Sequence, residues 1–91
     1  MREFFLSKKL ERTLKKLSKK DKLLFDRTYM KIDEIVKCYD VENYKNLKHP
    51  LQDYKRVHIG SFVLLFRYDK NKNILYFEDL DHHDFIYKSL L

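Results

Sequence analysis

With Cys38 as its single cysteine, the chain has no partner for an internal disulfide. One glycine and one proline in 91 residues also leave it short of the breakers that linkers and disordered segments use. No stretch approaches the ~18 consecutive apolar residues of a membrane-crossing helix. No charged-then-apolar leader opens the sequence either, so a cytoplasmic location and no membrane partner are expected. Internal repeats, low-complexity tracts and linker-like stretches are missing as well. Residues 1–91 therefore read as one domain, since a chain this short removes only somewhat over ~60% of its unfolded surface on folding and cannot sustain two cores. Against these absences stand 44% hydrophobic and 15% aromatic residues, the composition of a compact globular protein.

The formal charge is +6, and its placement is informative. From Lys8 to Lys22 there are eight basic residues against Glu11 and Asp21, a net of +6, while the remaining 12 basic and 12 acidic residues cancel. A basic stripe on an otherwise neutral domain fits a polyanionic partner, either nucleic acid or an acidic protein. The plainer reading is a solvated, lysine-rich helix face.

Taken in order, Arg2 to Leu6 suits a short edge strand. Ser7 is placed to cap a helix with Leu10, Leu14 and Leu17 on its apolar stripe. Ser18-Lys-Lys-Asp21 has the spacing of a second helix start, with Ser18 as cap, and Phe25, Thr28, Ile32, Ile35, Val36 and Tyr39 then share one face. Cys38 reads as a small core residue at the end of that helix. Residues 40–53 form an irregular crossing segment anchored by Leu47 and Leu51, with His49-Pro50 extended.

Two apolar runs then flank Gly60-Ser61, whose glycine can supply the positive φ of a two-residue hairpin. Placing Ile59 opposite Phe62 pairs His58 with Val63, Val57 with Leu64, Arg56 with Leu65, Lys55 with Phe66 and Tyr54 with Arg67. One face collects Ile59, Phe62, Val57, Leu64 and Phe66 for the core. The other collects Tyr54, Arg56, His58 and Arg67 over a floor of Val63 and Leu65. With a four-residue loop after this hairpin, Leu75 and Phe77 of the next strand join the core face while Tyr76 and Glu78 join Arg67. From Asp79 the chain is expected to leave the sheet and close with a helical turn. The fold class is thus α+β, a helical hairpin packed on a small, mainly antiparallel sheet.

His58, His82, His83 and Tyr87, with Arg56 and Arg67, supply the groups for metal-free phosphodiester cleavage. A base must take the proton of a ribose 2′-hydroxyl, an acid must protonate the leaving 5′-oxygen, and cations must hold the phosphorane. Imidazole suits both proton roles. Any one of these histidines could equally be structural, and Tyr54, Tyr76 and Tyr87 could stack on bases or simply pack. A metal site built from Asp79, Asp81, His82, His83 and Asp84 is disfavoured, because adjacent histidines on an extended segment point apart and no second ligand pair has zinc-site spacing. No metal and no other cofactor is expected.

The sequence Tyr54-Lys-Arg-Val-His-Ile-Gly-Ser-Phe-Val-Leu-Leu-Phe, followed by a turn, a strand and His82-His83-Asp84-Phe85-Ile86-Tyr87, resembles the RelE/ParE superfamily of type II toxins. That family shows an Arg-x-Arg-x-Gly hairpin and a terminal His-Arg-x-x-x-Tyr. The resemblance extends to the two N-terminal helices and to Leu47-Lys-His-Pro-Leu before the second strand. It implies a ribosome-dependent endoribonuclease that cuts mRNA without metal, held in check by an acidic antitoxin. Carried over, Arg56 would stabilise phosphate charge, His58 stands at the second hairpin arginine, His83 would be a general acid or base, and Tyr87 would orient the sugar or stack. Tyr54, Arg67 and His82 would line the substrate site, and Lys15, Lys16 and Lys19 would grip ribosomal RNA. Val63 stands where many members carry an arginine, which removes one phosphate contact. A ParE-like gyrase poison or a non-catalytic binder of antitoxin and nucleic acid is the alternative.

Overall fold

In a computed structural model, which describes residues 2–89 and only the backbone of 87–89, three α-helices and four β-strands follow one another, with a short 3-10 helix at Val41–Asn43 after the second α-helix. They are β1 (Glu3–Leu6), α1 (Lys8–Lys20), α2 (Lys22–Lys37), β2 (Lys55–Ile59), β3 (Phe62–Asp69), β4 (Ile74–His82) and α3 (His83–Ser89). The strands form one sheet in the order β1-β4-β3-β2, with β1 parallel to β4 and the other pairs antiparallel. This is the expected α+β architecture.

Ser7 caps α1 as its position suggests, its Oγ accepting from the Leu10 amide at 3.0 Å and donating to the Glu78 carbonyl at 2.6 Å. The second helix starts later than expected. Ser18 lies inside α1 and spends its hydroxyl on the Lys15 carbonyl, while Asp21 serves both helices. The Asp21 amide closes α1 on the Leu17 carbonyl, and its carboxylate accepts from the Leu24 amide at 3.1 Å. A single residue between the helices brings their stripes together, so Leu10 and Leu14 meet Leu24, Ile32, Ile35 and Val36 in the main core.

Tyr39 does not join that stripe. The chain turns extended at Cys38 (φ −68°, ψ 129°), leaving Tyr39 97% exposed and Leu24 in the core instead. Cys38 is no core residue either, since it sits half-buried past the helix end with Sγ 3.5 Å from Asp40 Oδ1. The Arg2 guanidinium covers this end of α2, donating to the carbonyls of Val36, Cys38 and Tyr39 and to Asn73 Oδ1.

The hairpin register is the expected one from Lys55↔Phe66 to Ile59↔Phe62, with Gly60 at φ +61° in the turn. Strand pairing stops at Lys55, so Tyr54 does not enter the ladder opposite Arg67. Lys55 shares the core face with Phe66 and is 8% exposed. Its ammonium donates to the Glu42 carbonyl, the Tyr44 carbonyl and Asn46 Oδ1, which satisfies all three of its protons. His49-Pro50 lies in a turn rather than extended.

Two features depart from the expected sheet. β4 does not leave at Asp79 but continues to His82, with a bulge at Glu78, where the register jumps from Phe66↔Phe77 to Leu65↔Asp79. And the face away from α1 and α2 is not open. Val63 and Leu65 are buried there in a second small core with Leu47 and with Ile86 of α3, and Leu51 and Tyr54 pack against it.

Candidate active site

Arg56 and His58 lie on β2 opposite Leu65 and Val63, so both point to the face away from α1 and α2, beside the second core. Arg56 Nη1 is 2.9 Å from His58 Nε2. A guanidinium can only donate, so Nε2 of His58 accepts and its lone pair is held until Arg56 turns to another acceptor. Phosphate oxygens would be such an acceptor.

The same rows continue across the sheet to residues that the sequence reading left out of the active face. His58, Val63 and Asp81 form one row, and Arg56, Leu65 and Asp79 the next. Asp79 is neutralised by Lys9 of α1 at 2.9 Å, and Asp81 Oδ1 accepts from the His82 amide. The signal for this was present: Leu75, Phe77 and Leu80 are all buried, and the odd step from 77 to 80 requires the bulge that turns Asp79 and Asp81 outward.

His83 opens α3 and is placed by its amide, which donates to the Ser61 carbonyl of the hairpin turn at 2.9 Å. His58 and His83 are thus two strand spacings apart, roughly 10 Å across the sheet, with a further offset of about two residues along it. His82 pairs with Phe62 and is therefore on the helix side of the sheet, its ring edge-on to Phe62 at 5.9 Å. Its ring nevertheless swings to the strand end and lies 4.8 Å from that of His83. The expectation that the two histidines point apart fails because the strand ends between them.

Other candidates are dispersed. Arg67 is held by Glu78, with Nε and Nη2 at 3.1 and 2.9 Å from Oε1, and lies over the Tyr76 ring. Tyr54 is half-buried in the second core. Lys15, Lys16 and Lys19 are exposed on α1, in the helix layer on the opposite side of the sheet from Arg56. Tyr87 belongs to α3, but its side chain lies outside the described residues.

A two-helix hairpin on a β1-β4-β3-β2 sheet with a short C-terminal helix over its far face defines a RelE-type toxin domain. The chain is 47% identical over 89 residues to a protein of Methanocaldococcus jannaschii named "Putative toxin RelE4", an alignment spanning 97% of this chain and 93% of that one. It superposes on a metal-bound toxin from Helicobacter pylori with a TM-score of 0.74 at 26% identity, covering 94% of this chain and 99% of the other. The RelBE2 toxin-antitoxin complex of Mycobacterium tuberculosis matches in fold, with a TM-score of 0.73 at 17% identity over 90% of this chain and 98% of that one. No family model matches the sequence. The chain belongs to the RelE family of toxins from toxin-antitoxin systems. Among the described residues, no helix is long and apolar enough to cross a membrane.

Proposed function

We propose that this toxin is a ribosome-dependent endoribonuclease that cleaves mRNA by metal-independent attack of a ribose 2′-hydroxyl on the adjacent phosphate. The observation that carries the reading is the contact between Arg56 and His58 on the sheet face next to which His83 is tethered at Ser61. A phosphate entering there would draw Arg56 onto its oxygens and free the His58 lone pair to take the 2′-proton. His83, two strands away across the sheet, would protonate the leaving 5′-oxygen. Tyr87 would orient the sugar or stack on a base. The 2′-oxygen to phosphorus bond forms as the 5′-oxygen bond breaks, leaving a cyclic phosphate.

Purified toxin added to programmed ribosomes should cut in the A site, and chelation by EDTA should leave the cut intact. His83→Ala and His58→Ala should each slow it by about 10²- to 10⁴-fold. Cutting retained in His83→Ala removes that residue from the mechanism. The cognate antitoxin would be acidic, matching a chain of net charge +6, and would act in the cytoplasm.

A second reading, a binder of antitoxin and nucleic acid without nuclease activity or a ParE-like inhibitor of gyrase, is favoured by one set of contacts. Val63 is buried, Arg67 is committed to Glu78, and Asp81 adds a carboxylate to the His58 row, so Arg56 alone of the expected arginines faces a phosphate there. Inhibition of gyrase supercoiling without RNA cutting would select this reading.

A further inference from the structure

At the junction of β4 and α3, His82, His83 and Asp84 offer one donor atom each within 4.8 Å of one another. The Asp84 carboxylate sits between the two imidazoles, Oδ2 at 3.6 Å from His82 Nδ1 and Oδ1 at 3.2 Å from His83 Nε2. Ligands bound tetrahedrally at ~2.0–2.1 Å from a zinc ion are separated by about 3.3 Å, and each imidazole already stands near that spacing from one oxygen of the carboxylate. The side chains are 35%, 48% and 65% exposed and have room to rotate the donor atoms onto one ion.

We infer that His82, His83 and Asp84 form a site for a borderline divalent cation of the zinc class, with its remaining positions open to water. Two imidazoles and one carboxylate are the ligand set of such ions and not of magnesium or calcium, which take oxygen. The His82 tautomer is favourable. His82 Nδ1 accepts from the Asp84 amide at 3.3 Å, so it carries a lone pair that a cation can take over in exchange for one long hydrogen bond. The strand-to-helix corner supplies the convergence: a strand continued through 83 and 84 would place alternate side chains on opposite faces.

The site shares His83 with the proposed nuclease, and on that reading a bound cation withdraws the imidazole from proton transfer and inhibits cutting. The binding claim is independent of it. Zinc titrated calorimetrically into the purified chain should bind one ion per chain, and cobalt should give the intense visible bands of a low-coordinate site. His83→Ala and Asp84→Asn, both at exposed positions, should each weaken zinc binding at least about tenfold, and His49→Ala, in a separate turn, should not. Excess magnesium should not displace zinc. Zinc binding that is absent, or unchanged in His83→Ala and Asp84→Asn, overturns the site whatever the cleavage assay gives. If zinc binds and the metal-free chain cuts no RNA, the site stands and the nuclease reading falls.

Discussion

Lys55 and Tyr44 show how single residues are set by what surrounds them. Burial pushes the Lys55 ammonium below its usual pKa, with Glu42 opposing, yet three acceptors converge on it. Lys55→Met keeps most of the stem and orphans those acceptors, and it should lower stability by about 1–3 kcal/mol, read from the urea midpoint. Tyr44 stands edge-on to Phe66, and burial, followed by the nearby Cys38 and Glu34, raises its hydroxyl to about 12. A raised folded pKa means stability fully present below the unfolded value of 10.0 and lost as pH climbs through about 12. Alkaline titration followed by phenolate absorbance should therefore show a late step that Tyr44→Phe removes. Neither residue was marked in the sequence. Lys55 interrupts the apolar pattern of its face, and the carbonyls of residues 42 and 44 together with Asn46 Oδ1 explain why that is tolerated.

Among the elements, α3 contributes to the second core through Ile86. Ile86 is 1% exposed against Val63, Leu65 and Leu47, and Ile86→Ala should destabilise by about 2–5 kcal/mol in equilibrium unfolding. The bulge at Glu78 is the more tolerant feature. Deleting Glu78 would leave Asp79 opposite Leu65 and Leu80 opposite Leu64, so the deletion variant is expected to keep a cooperative unfolding transition while losing the Arg67 ion pair. The hairpin register was legible because Gly60 fixes the turn and period two does the rest, and the Ser7 cap was legible because a hydroxyl just before an apolar stripe has one use. What was not legible depended on distant partners. Ser18 and Asp21 are both competent caps, and only the closure of α1 on Leu17 chooses between them. The convergence of His82 with His83 needed the strand to end between them, and the cover over Val63 and Leu65 needed α3 to fold back. Arg56 and His58 were found as neighbours because both stand on one strand two residues apart; the engagement of Arg67 by Glu78 across the sheet could not be read from spacing.

At the scale of the whole molecule, charge and chemistry lie on opposite layers. The lysines of α1 face outward from the helix side, and Arg56 and His58 from the other. An RNA partner would have to reach around the domain to meet both. Replacing Lys15, Lys16 and Lys19 by glutamine should leave the unfolding midpoint nearly unchanged. If all three meet single-stranded phosphates, the slope of log affinity against log salt should flatten by about 2. An unchanged slope would assign them to the solvated face of a helix and nothing more.

β1 and β4 are paired across the chain, Glu3 beside Ile74 and Leu6 beside Phe77, and Arg2 reaches Asn73. During synthesis the first strand waits, unpaired, until some seventy later residues have cleared the ribosomal exit tunnel. A nascent copy consequently carries β1 as a lone strand until β4 has been made, so the edge of the sheet that is synthesised first is the last to be closed.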